Sequence, residues 1–281
     1  MPPLSPKLSI LMLTYNRPQM IGRAIRSACE QTFEDWELII VQDGSNPEVE
    51  VLLREWLEKE PRIRYCPRGV VGSIAEASNF GLQMARGKYI AILDDDDYWS
   101  LPDKLARQIE FLDTHPEYVA CAGGYIVVDG SGRELGRFIK PKEDSQVRER
   151  ALIANPIANS TSVFRRLVGN APVLYDTGLR QFADWDFWLT IGSKGKLYNF
   201  PEYLACYALW DGGSSFKHQK ANARAAIRLI FKHRANYRGF PAALALACVY
   251  YGYAFLPGAV RRFSYEGLSA LKKALTGVRA T

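Results

Sequence analysis

The chain has 281 residues, of which 48% are hydrophobic and 23% are charged, and this composition excludes a chain that is disordered throughout. The length suits one large α/β domain with an appendage, or two small domains. The five cysteines are scattered and form no CxxC pair, which favours reduced thiols in a cytosolic protein over a disulfide framework or a zinc site. We also expect no secretory signal peptide, because the chain opens without a basic stretch followed by a long apolar one.

The net charge of +6 is distributed unevenly along the chain. Residues 1–211 carry 24 basic and 29 acidic side chains, whereas residues 212–281 carry 12 basic side chains and one acidic side chain. This basic C-terminal part predicts a partner with an anionic surface, and membrane phospholipid and nucleic acid both qualify.

Apolar strands alternate with helices in the first part of the chain. In chain order we predict a strand at Leu8–Thr14, a helix from Pro18 to about Gln31, a strand at Trp36–Val41, a helix from about Pro47 to Lys59, a strand at Ile63–Cys66, a helix at Gly72–Ala85, a strand at Tyr89–Leu93 and a helix from Pro102 to about His115. This alternation predicts an α/β fold with a parallel, Rossmann-like sheet.

From about residue 117 the pattern changes to a mixed α+β arrangement that continues the first sheet. Tyr118–Val128 and Glu134–Ile139 are predicted to form an antiparallel hairpin. Shorter strands are predicted at Ser160–Phe164 and Ala205–Leu209, with a helix from about Asp184 to Ser193 between them. We therefore divide the chain into a main domain at 1–211, made of halves 1–116 and 117–211, and a basic, partly apolar helical tail at 212–281.

The tail combines a basic stripe with a long charge-free segment. The stripe consists of basic residues at three- and four-residue spacing, which are Lys217, Lys220, Arg224, Arg228 and Lys232. Residues 240–260 carry no charge and are long enough to reach across a bilayer, but Pro241, Pro257 and Gly252 disfavour a spanning helix. Association of 217–262 with a membrane surface is favoured, and a spanning segment or plain packing against the domain are the alternatives.

Four consecutive aspartates, Asp94–Asp97, follow the predicted strand Tyr89–Leu93 and are called the acidic run below. Clustered carboxylates at the end of a buried strand are electrostatically costly unless a cation meets them. Ligand sites of open α/β sheets lie beyond the carboxyl ends of the strands. Oxygen ligands alone suit Mg²⁺ or Mn²⁺, and Mg²⁺ is commonly shared with substrate phosphates. The acidic run therefore predicts a metal-assisted enzyme that acts on a phosphorylated donor.

Six stretches of this sequence, in their order and spacing, resemble the family 2 glycosyltransferases, which are inverting enzymes of the GT-A fold. The matching stretches are Ser9–Arg17, Ser27–Phe33, Glu37–Ser45, Asn79–Gly81, Ala85–Asp97 and Ala183–Leu189. Together they cover roughly residues 7–210. The resemblance implies a GT-A fold and transfer of a sugar from a nucleotide-diphosphate sugar.

The resemblance implies a donor site at the ends of the first two strands. Thr14, Tyr15 and Asn16 would contact the nucleotide base and ribose, and Asn79 would also bind the donor. Asp43 would accept a hydrogen bond from the imino N–H of the base. The structural alternatives are that Tyr15 is a core aromatic that caps the sheet and that Asp43 only stabilises a turn.

The DxD motif of the family matches Asp94-Asp95-Asp96. The resemblance assigns Asp96 to a Mn²⁺ or Mg²⁺ ion, Asp94 to the ribose or to a metal-bound water, and Asp95 to the donor site. Strand-like alternation puts Asp94 and Asp96 on one face and Asp95 and Asp97 on the other. Asp97 is expected to cap the next turn, and the alternative for the whole run is a solvated acidic loop.

Asp184 matches the position of the family's general base, which takes the proton of the acceptor hydroxyl. An aspartate ahead of an apolar helix is also a good N-cap, and the two roles are compatible. Trp185 and Asp186 would then bind the acceptor.

The sequence departs from the family pattern at two places. Gln42-Asp43 stands where an acidic pair is usual, and Ser78 stands where many members have an arginine near the diphosphate. Arg68, Arg86 or a lysine of the tail could replace that arginine. The loop 212–218 could close over the donor and present Lys217 or His218 to phosphate, or it could be an ordinary surface loop. His115 and His233 are predicted to be surface residues.

These observations predict a metal-dependent inverting glycosyltransferase that uses a nucleotide-diphosphate sugar, with a UDP-sugar favoured. We expect it to extend a glycan or a lipid-linked acceptor in cell-surface polysaccharide synthesis. The expected location is the cytoplasm, with peripheral association at the inner face of the membrane. The alternative is a non-catalytic partner that binds nucleotide sugars. Nucleic-acid binding is disfavoured, because the basic residues are not interleaved with a base-stacking platform.

Overall fold

The structure is a computed structural model and describes residues 5–209, 219–256, 275 and 279–280. Its strands are β1 (Leu8–Thr14), β2 (Trp36–Gln42), β3 (Ile63–Pro67), β4 (Tyr89–Ile92), β5 (Tyr98–Trp99), β6 (Tyr118–Val128), β7 (Glu134–Ile139), β8 (Val163–Arg165), β9 (Leu167–Val168), β10 (Ala171–Pro172), β11 (Lys196–Ala208) and β12 (Arg279–Ala280). Its helices are α1 (Pro18–Cys29), α2 (Pro47–Lys59), α3 (Ile74–Met84), α4 (Lys104–Thr114), α5 (Asp144–Arg150), α6 (Ala183–Gly192), α7 (Gln219–His233) and α8 (Phe240–Tyr253).

The main sheet has a parallel part and an extension that is largely antiparallel. β1 pairs in parallel with β2 on one side and with β4 on the other, and β3 continues the parallel part beyond β2. β8 runs antiparallel between β4 and β6, β7 forms a hairpin with β6, and β11 lies parallel to β6. The predicted α/β fold, with its parallel first half flanked by helices, is confirmed.

The parallel strands lie in the core and are covered by helices on both faces. All seven residues of β2 are buried, as expected for a strand that is packed on both sides. α1 buries Ile21, Ala24, Ile25 and Ala28, whose spacing of three and four residues forms one helical face. On the opposite face, α3 approaches the sheet closely at Gly81, where an added Cβ would overlap the side chain of Leu11.

Two predicted strands differ in their bounds. The segment predicted as the strand Ser160–Phe164 begins with a 3₁₀ turn at Asn159–Thr161, closed by the amides of Thr161 and Ser162, before β8 starts. The strand predicted at Ala205–Leu209 is the end of the much longer β11. The full length of β11 was not predicted, because its pairing with β6 shifts register between Phe200 and Tyr203. Pro201 lies in this interval and cannot donate a backbone hydrogen bond to the neighbouring strand.

The described part of the tail packs on the main domain as two helices, α7 and α8, which are called the C-terminal hairpin below. Its apolar residues share a core cluster with Ala151, Leu152, Trp185 and Leu189 of the domain. Among the alternatives for the tail, packing against the main domain therefore holds for these two helices. None of the helices in the described ranges combines the length and the hydropathy that crossing a bilayer requires. The predicted loop 212–218, with Lys217 and His218, and the proposed domain boundary lie outside the described residues.

Candidate active site

Three strand ends of the parallel sheet meet at one edge, and each is followed by a predicted site residue. Tyr15 follows β1, Asp43 follows β2, and the acidic run begins two residues after β4. The amide of Asp43 donates to the carbonyl of Thr14 at 2.9 Å, and the amide of Leu93 donates to the carbonyl of Leu11 at 3.1 Å. The strand ends are thus held side by side, as expected at the ligand-binding edge of an open α/β sheet.

The Tyr15 ring is presented to solvent at this edge. Tyr15 is 52% exposed, so the alternative interpretation of this residue as a core aromatic is wrong. The ring and the side chain of Val71 both lie beside Gly44, whose φ of +89° turns the chain after β2. An exposed ring in this position can stack on a flat ligand.

Asp43 organises the loop that faces Tyr15. One of its oxygens lies 2.5 Å from Nη1 of Arg68, and the amide of Gly72 approaches both carboxylate oxygens at 3.1 Å. The Asp43 carboxylate therefore stabilises the loop 68–72, which is not the Gly44-Ser45 turn that it follows, and its binding of a base N–H stays a prediction. Arg68 is held at the same edge of the sheet.

Thr14 is less accessible to a ligand than the sequence suggested, whereas Asn16 is exposed. Thr14 is 2% exposed and its hydroxyl faces Asp95. The side-chain oxygen of Asn16 accepts a hydrogen bond from Asn46, the N-cap residue of α2. Direct contact with a donor stays a prediction for each of the two residues.

Within the acidic run, Asp94 is held by hydrogen-bond donors from the 3₁₀ turn. Nδ2 of Asn159 lies 3.2 Å from Oδ2 of Asp94, and the amide of Asp94 donates to Oγ of Ser160 at 3.1 Å. Burial, with a further contribution from the charge of Asp96, raises the pKa of Asp94 to about 6. This carboxylate would gain from a nearby cation.

Asp95 and Asp96 both contact Arg17. Nη2 of Arg17 lies 2.8 Å from Oδ1 of Asp95, and Nη1 pairs with Oδ2 of Asp96. Burial raises the pKa of Asp95 to about 7 although Arg17 opposes the shift. Asp95 is fully buried and the side chain of Asp96 is 15% exposed. The strand-like alternation predicted for the run is wrong, because Asp95 and Asp96 form a turn in which the amide of Asp97 donates to the carbonyl of Asp94 at 3.1 Å.

Asp97 connects the acidic run to β11 instead of capping the next turn. Its carboxylate accepts a hydrogen bond from Oγ of Ser160 at 2.5 Å and another from the amide of Ala208 at 3.2 Å. Burial, with the charges of Asp94 and Asp96, raises the pKa of Asp97 well above its usual range. Asp97 is therefore a structural member of the run.

The acidic run fits a hard divalent ion by its chemistry. Within the described ranges, no three or more His, Cys, Asp or Glu side chains are arranged to enclose a metal ion by themselves. Asp94 and Asp96 could supply the one or two carboxylates with which Mg²⁺ is typically bound together with substrate phosphates. The raised pKa of Asp94 also indicates that its ionised form lacks a sufficient counter-charge. The solvated-loop alternative does not agree with the burial of Asp95 and Asp97.

Asp184 lies in the first turn of α6, directly after an unusual backbone conformation. Phe182 has φ 57° and ψ 29°, a left-handed conformation that non-glycine residues seldom adopt. Oδ2 of Asp184 accepts a hydrogen bond from Nδ2 of Asn155 at 2.8 Å, and the amide of Trp185 also donates to the carboxylate. Burial outweighs these donors and raises the pKa of Asp184. The N-cap position of α6 belongs to Phe182, so the N-cap prediction for Asp184 is wrong. Its raised pKa suits a base, and that role stays a prediction.

Tyr175, which sequence reasoning missed, is a buried residue on which the charges of Asp94 and Asp184 both act. Burial, followed by the negative charges of Asp184 and Asp94, raises the pKa of its phenol well above the usual range, so both carboxylates lie near this ring. The ring stacks on Phe187 at 4.2 Å between centroids. No local pattern marks Tyr175, because it follows a short irregular segment with no periodicity.

The side chain of Asn79 holds Tyr175 in place. Its amide nitrogen donates to the carbonyl of Tyr175 at 2.9 Å, and its oxygen accepts from the amide of Tyr175 at 2.8 Å. Ser78 on the same helix is hydrogen-bonded to the Tyr175 phenol. Asn79 thus has a structural role in this arrangement, and its contact with a donor stays a prediction.

Trp185 and Asp186 have packing roles in place of the acceptor-facing roles that the sequence suggested. Trp185 is 7% exposed, and its indole N–H donates to the carbonyl of Ala151 at 2.7 Å. Asp186 is 2% exposed and contacts Lys232 and His233 of the C-terminal hairpin. Both side chains point away from open surface because α6 is covered by this hairpin. The prediction that His233 is a surface residue is wrong, since it is 4% exposed.

Comparison with known proteins agrees with this geometry. Residues 9–168 match the family described as "Glycosyl transferase family 2". The chain belongs to this family. A Bacillus subtilis protein named as the teichuronic acid biosynthesis glycosyltransferase TuaG is 31% identical over 222 residues, which are 77% of this chain and 84% of that protein. An uncharacterised glycosyltransferase of Haemophilus influenzae is 27% identical over 79% of this chain and 72% of its own length.

Solved structures of glycosyltransferases share the fold. Staphylococcus aureus TarS 1–349 in complex with UDP-GlcNAc has a TM-score of 0.64 at 16% identity, over 89% of this chain and 73% of that one. The Pyrobaculum calidifontis mannosyltransferase PcManGT, in complex with GDP-Man and Mn²⁺, has a TM-score of 0.65 at 18% identity, over 98% of this chain and 83% of that one. The predicted GT-A architecture is confirmed.

In this family 2 glycosyltransferase, Ser78 stands where many members have an arginine, and the structure reduces the number of basic residues that could take the place of that arginine. Arg86 lies at the opposite edge of the sheet, where its Nη2 pairs with Glu37 at 2.7 Å near the start of β2. It cannot face a donor bound at the carboxyl edge. Lys232 of the tail contacts Asp176 and Asp186, and Arg68 contacts Asp43.

Proposed function

We propose that this family 2 glycosyltransferase transfers a sugar from a UDP-sugar to a glycan or lipid-linked acceptor, with metal assistance and inversion at the anomeric carbon. The observations that carry the proposal are the exposed ring of Tyr15 and the acidic run at one edge of the sheet. The charges of Asp94 and Asp184 both act on the buried phenol of Tyr175, which supports the proximity of Asp184 to the acidic run.

The donor would lie across the strand ends. Tyr15 would stack on the base, and Asp43 would accept from the imino N–H while its ion pair with Arg68 orients the carboxylate. Asp96, with Asp94, would hold Mn²⁺ or Mg²⁺ against the diphosphate. A metal held there supplies positive charge that stabilises the departing diphosphate.

Asp184 would act as the general base. As the acceptor oxygen forms its bond to the anomeric carbon, its proton passes to Asp184 and the bond from that carbon to the phosphate oxygen breaks, which releases UDP. Burial suits this role, since a raised pKa makes the carboxylate a stronger base. Asn155 fixes the carboxylate through its 2.8 Å hydrogen bond. Attack opposite the leaving group inverts the configuration.

The acceptor is proposed to belong to cell-surface polysaccharide synthesis. The name of the relative TuaG, which refers to teichuronic acid biosynthesis, supports this class of acceptor. α8 carries no charged residue and leaves Val249 51% exposed, while the neighbouring helix α7 exposes Lys220, Arg224 and Arg228. Such a surface supports peripheral association with an anionic membrane from the cytoplasmic side.

The proposal is tested by incubating the protein with UDP-, GDP- and dTDP-sugars and Mn²⁺, together with lipid-linked and free glycan acceptors, and following nucleotide release. Proton NMR of the product gives the anomeric configuration. We expect UDP-sugars to react with inversion, and Asp184→Asn to lower kcat by about 10³-fold while UDP affinity is kept, as for loss of a general base. Retention of configuration would exclude the mechanism.

The non-catalytic alternative makes a different prediction in the same experiment. A binding partner that keeps the fold would bind a nucleotide sugar tightly, and Asp184→Asn would change nothing that can be measured. Donor binding without turnover across the acceptor panel, with no effect of Asp184→Asn on binding or nucleotide release, would favour this alternative.

A further inference from the structure

A guanidinium group already occupies the carboxylates that are expected to meet a metal. Arg17 contacts two neighbouring members of the acidic run, with Nη2 on Asp95 at 2.8 Å and Nη1 on Asp96. Arg17 is the N-cap residue of α1, three positions after the last residue of β1, and the side chain is 29% exposed. A flexible cation at the mouth of the sheet therefore balances the same charges that a divalent ion would.

The two contacts of Arg17 are unequal. Asp95 is fully buried, whereas the side chain of Asp96 is 15% exposed and faces the donor edge. The guanidinium can therefore release the accessible carboxylate while it keeps its contact with the buried one. Arg23 of the same helix helps to fix this turn, with Nη2 3.4 Å from the carbonyl of Asp96 and its guanidinium 4.1 Å from the centre of the Tyr98 ring.

We propose that Arg17 is a resident counter-ion that a divalent metal displaces from Asp96, and that the displaced guanidinium then binds the donor diphosphate. The inference rests on the function proposed above. The metal ion and the guanidinium group would compete for the carboxylate of Asp96, because two cations on the same carboxylate repel each other. Once released, a planar fork of N–H donors suits phosphate oxygens better than any lysine. Arg17 thereby supplies the positive charge that Ser78 does not, whereas Arg68 stays with Asp43.

The first experiment measures Mn²⁺ binding without any nucleotide, from the electron paramagnetic resonance signal of free Mn²⁺. It compares the wild-type protein with Arg17→Ala, Arg17→Lys and the control Arg26→Ala, which removes an exposed arginine from the last turn of the same helix. We expect Arg17→Ala to tighten Mn²⁺ binding by about 5-fold, because an exposed ion pair no longer competes. Arg26→Ala should leave Mn²⁺ binding within about 2-fold of the wild type.

The second experiment measures UDP binding by calorimetry at saturating Mn²⁺. Here Arg17→Ala should act in the opposite direction and weaken UDP binding by about 10-fold, the size of one lost charge-assisted hydrogen bond. Arg17→Lys, which keeps the charge but not the fork, should recover part of this loss. Circular dichroism of each variant shows whether it is folded. If Arg17 had a purely structural role, Arg17→Ala would weaken the binding of Mn²⁺ and of UDP together.

Mn²⁺ binding that is unchanged or weakened in folded Arg17→Ala would overturn the displacement. Tightened Mn²⁺ binding with unchanged UDP binding would overturn the contact with the diphosphate. If the wild-type protein binds Mn²⁺ but no nucleotide, the proposed function fails and the diphosphate contact fails with it. The Mn²⁺ measurement still tests whether the metal displaces Arg17 in that case, because it is made without any nucleotide.

Discussion

Nε2 of His233 lies 2.8 Å from Oδ1 of Asp186, and this buried contact joins the helix that carries Asp184 to the C-terminal hairpin. Lys232 reaches the same carboxylate at 2.9 Å and also contacts Asp176 at 2.8 Å. Burial alone would raise the pKa of Asp186, but the hydrogen bonds from His233 and Lys232 outweigh it and lower the pKa. The tail is thus tied to the helix that positions the proposed base.

Asp186→Asn should lower the free energy of unfolding by about 2 kcal/mol, because it weakens the charge-assisted contacts of a buried carboxylate with Lys232 and His233. Asp176→Asn is the matched control, since its ion pair with the same Lys232 is exposed and should contribute less than about 1 kcal/mol. Urea unfolding at neutral pH measures both. Because the folded pKa of Asp186 is lowered, its stabilisation is present above the unfolded pKa and is lost as pH falls through the folded value. Equal losses in the two variants would contradict the buried contact.

Asn155→Ala should move the acid limb of the kcat/KM profile to higher pH. The proposed base must be ionised, so activity is present above the pKa of Asp184 and is lost as pH falls through it. That pKa is raised by burial, and the hydrogen bond from Asn155 opposes the shift. Removing the donor therefore raises the pKa further. If kcat/KM of Asn155→Ala were lower by the same factor at every pH, Asn155 would affect the geometry of the site and not the pKa of Asp184.

Tyr15→Ala should weaken UDP binding by about 10-fold, as for other losses of aromatic stacking on a base, whereas Tyr15→Phe should retain it within about 2-fold. Because Tyr15 is 52% exposed, neither change should alter the free energy of unfolding by more than about 0.5 kcal/mol. Calorimetric titration with UDP and urea unfolding separate the two effects. A loss in Tyr15→Phe as large as in Tyr15→Ala would assign the binding to the hydroxyl group instead of the ring.

Lys104→Met should stabilise the protein at pH 7 by about 1–3 kcal/mol, because Lys104 is buried without an ion pair among the described residues and methionine fills the same space. Its ammonium group lies 4.2 Å from the centre of the Trp99 ring.

The same variant has a pH signature. Burial lowers the pKa of Lys104 to about 7, below its value in the unfolded chain, so the unfolded state binds the extra proton between about pH 7 and pH 10. Wild-type stability therefore gains from this residue as pH rises through that window, and Lys104→Met should remove the gain. Urea unfolding at pH 6.5 and pH 9 tests this. A constant difference between the two proteins at both pH values would contradict it.

Much of the donor site could be predicted from the sequence. Tyr15, Asp43 and the acidic run each follow an apolar strand, and the carboxyl ends of parallel strands meet at one edge of the sheet. The parallel character of the first strands followed from their alternation with helices, and β6 and β7 were bounded correctly because a Gly-rich turn separates them. The strand β11 was largely missed because register shifts around Pro201 interrupt its period.

The sequence by itself determined the family and the parallel sheet, and it indicated which residues follow the carboxyl ends of the strands, because these depend on local patterns and on motif order. Only the tertiary structure decided that Arg17 lies on Asp95 and Asp96, and that the charges of Asp94 and Asp184 both act on Tyr175. It also turned Asp186 from a predicted acceptor contact into an anchor for the tail. These contacts join residues far apart in the chain, and side chains that pair across such separations leave no periodic signal near either partner.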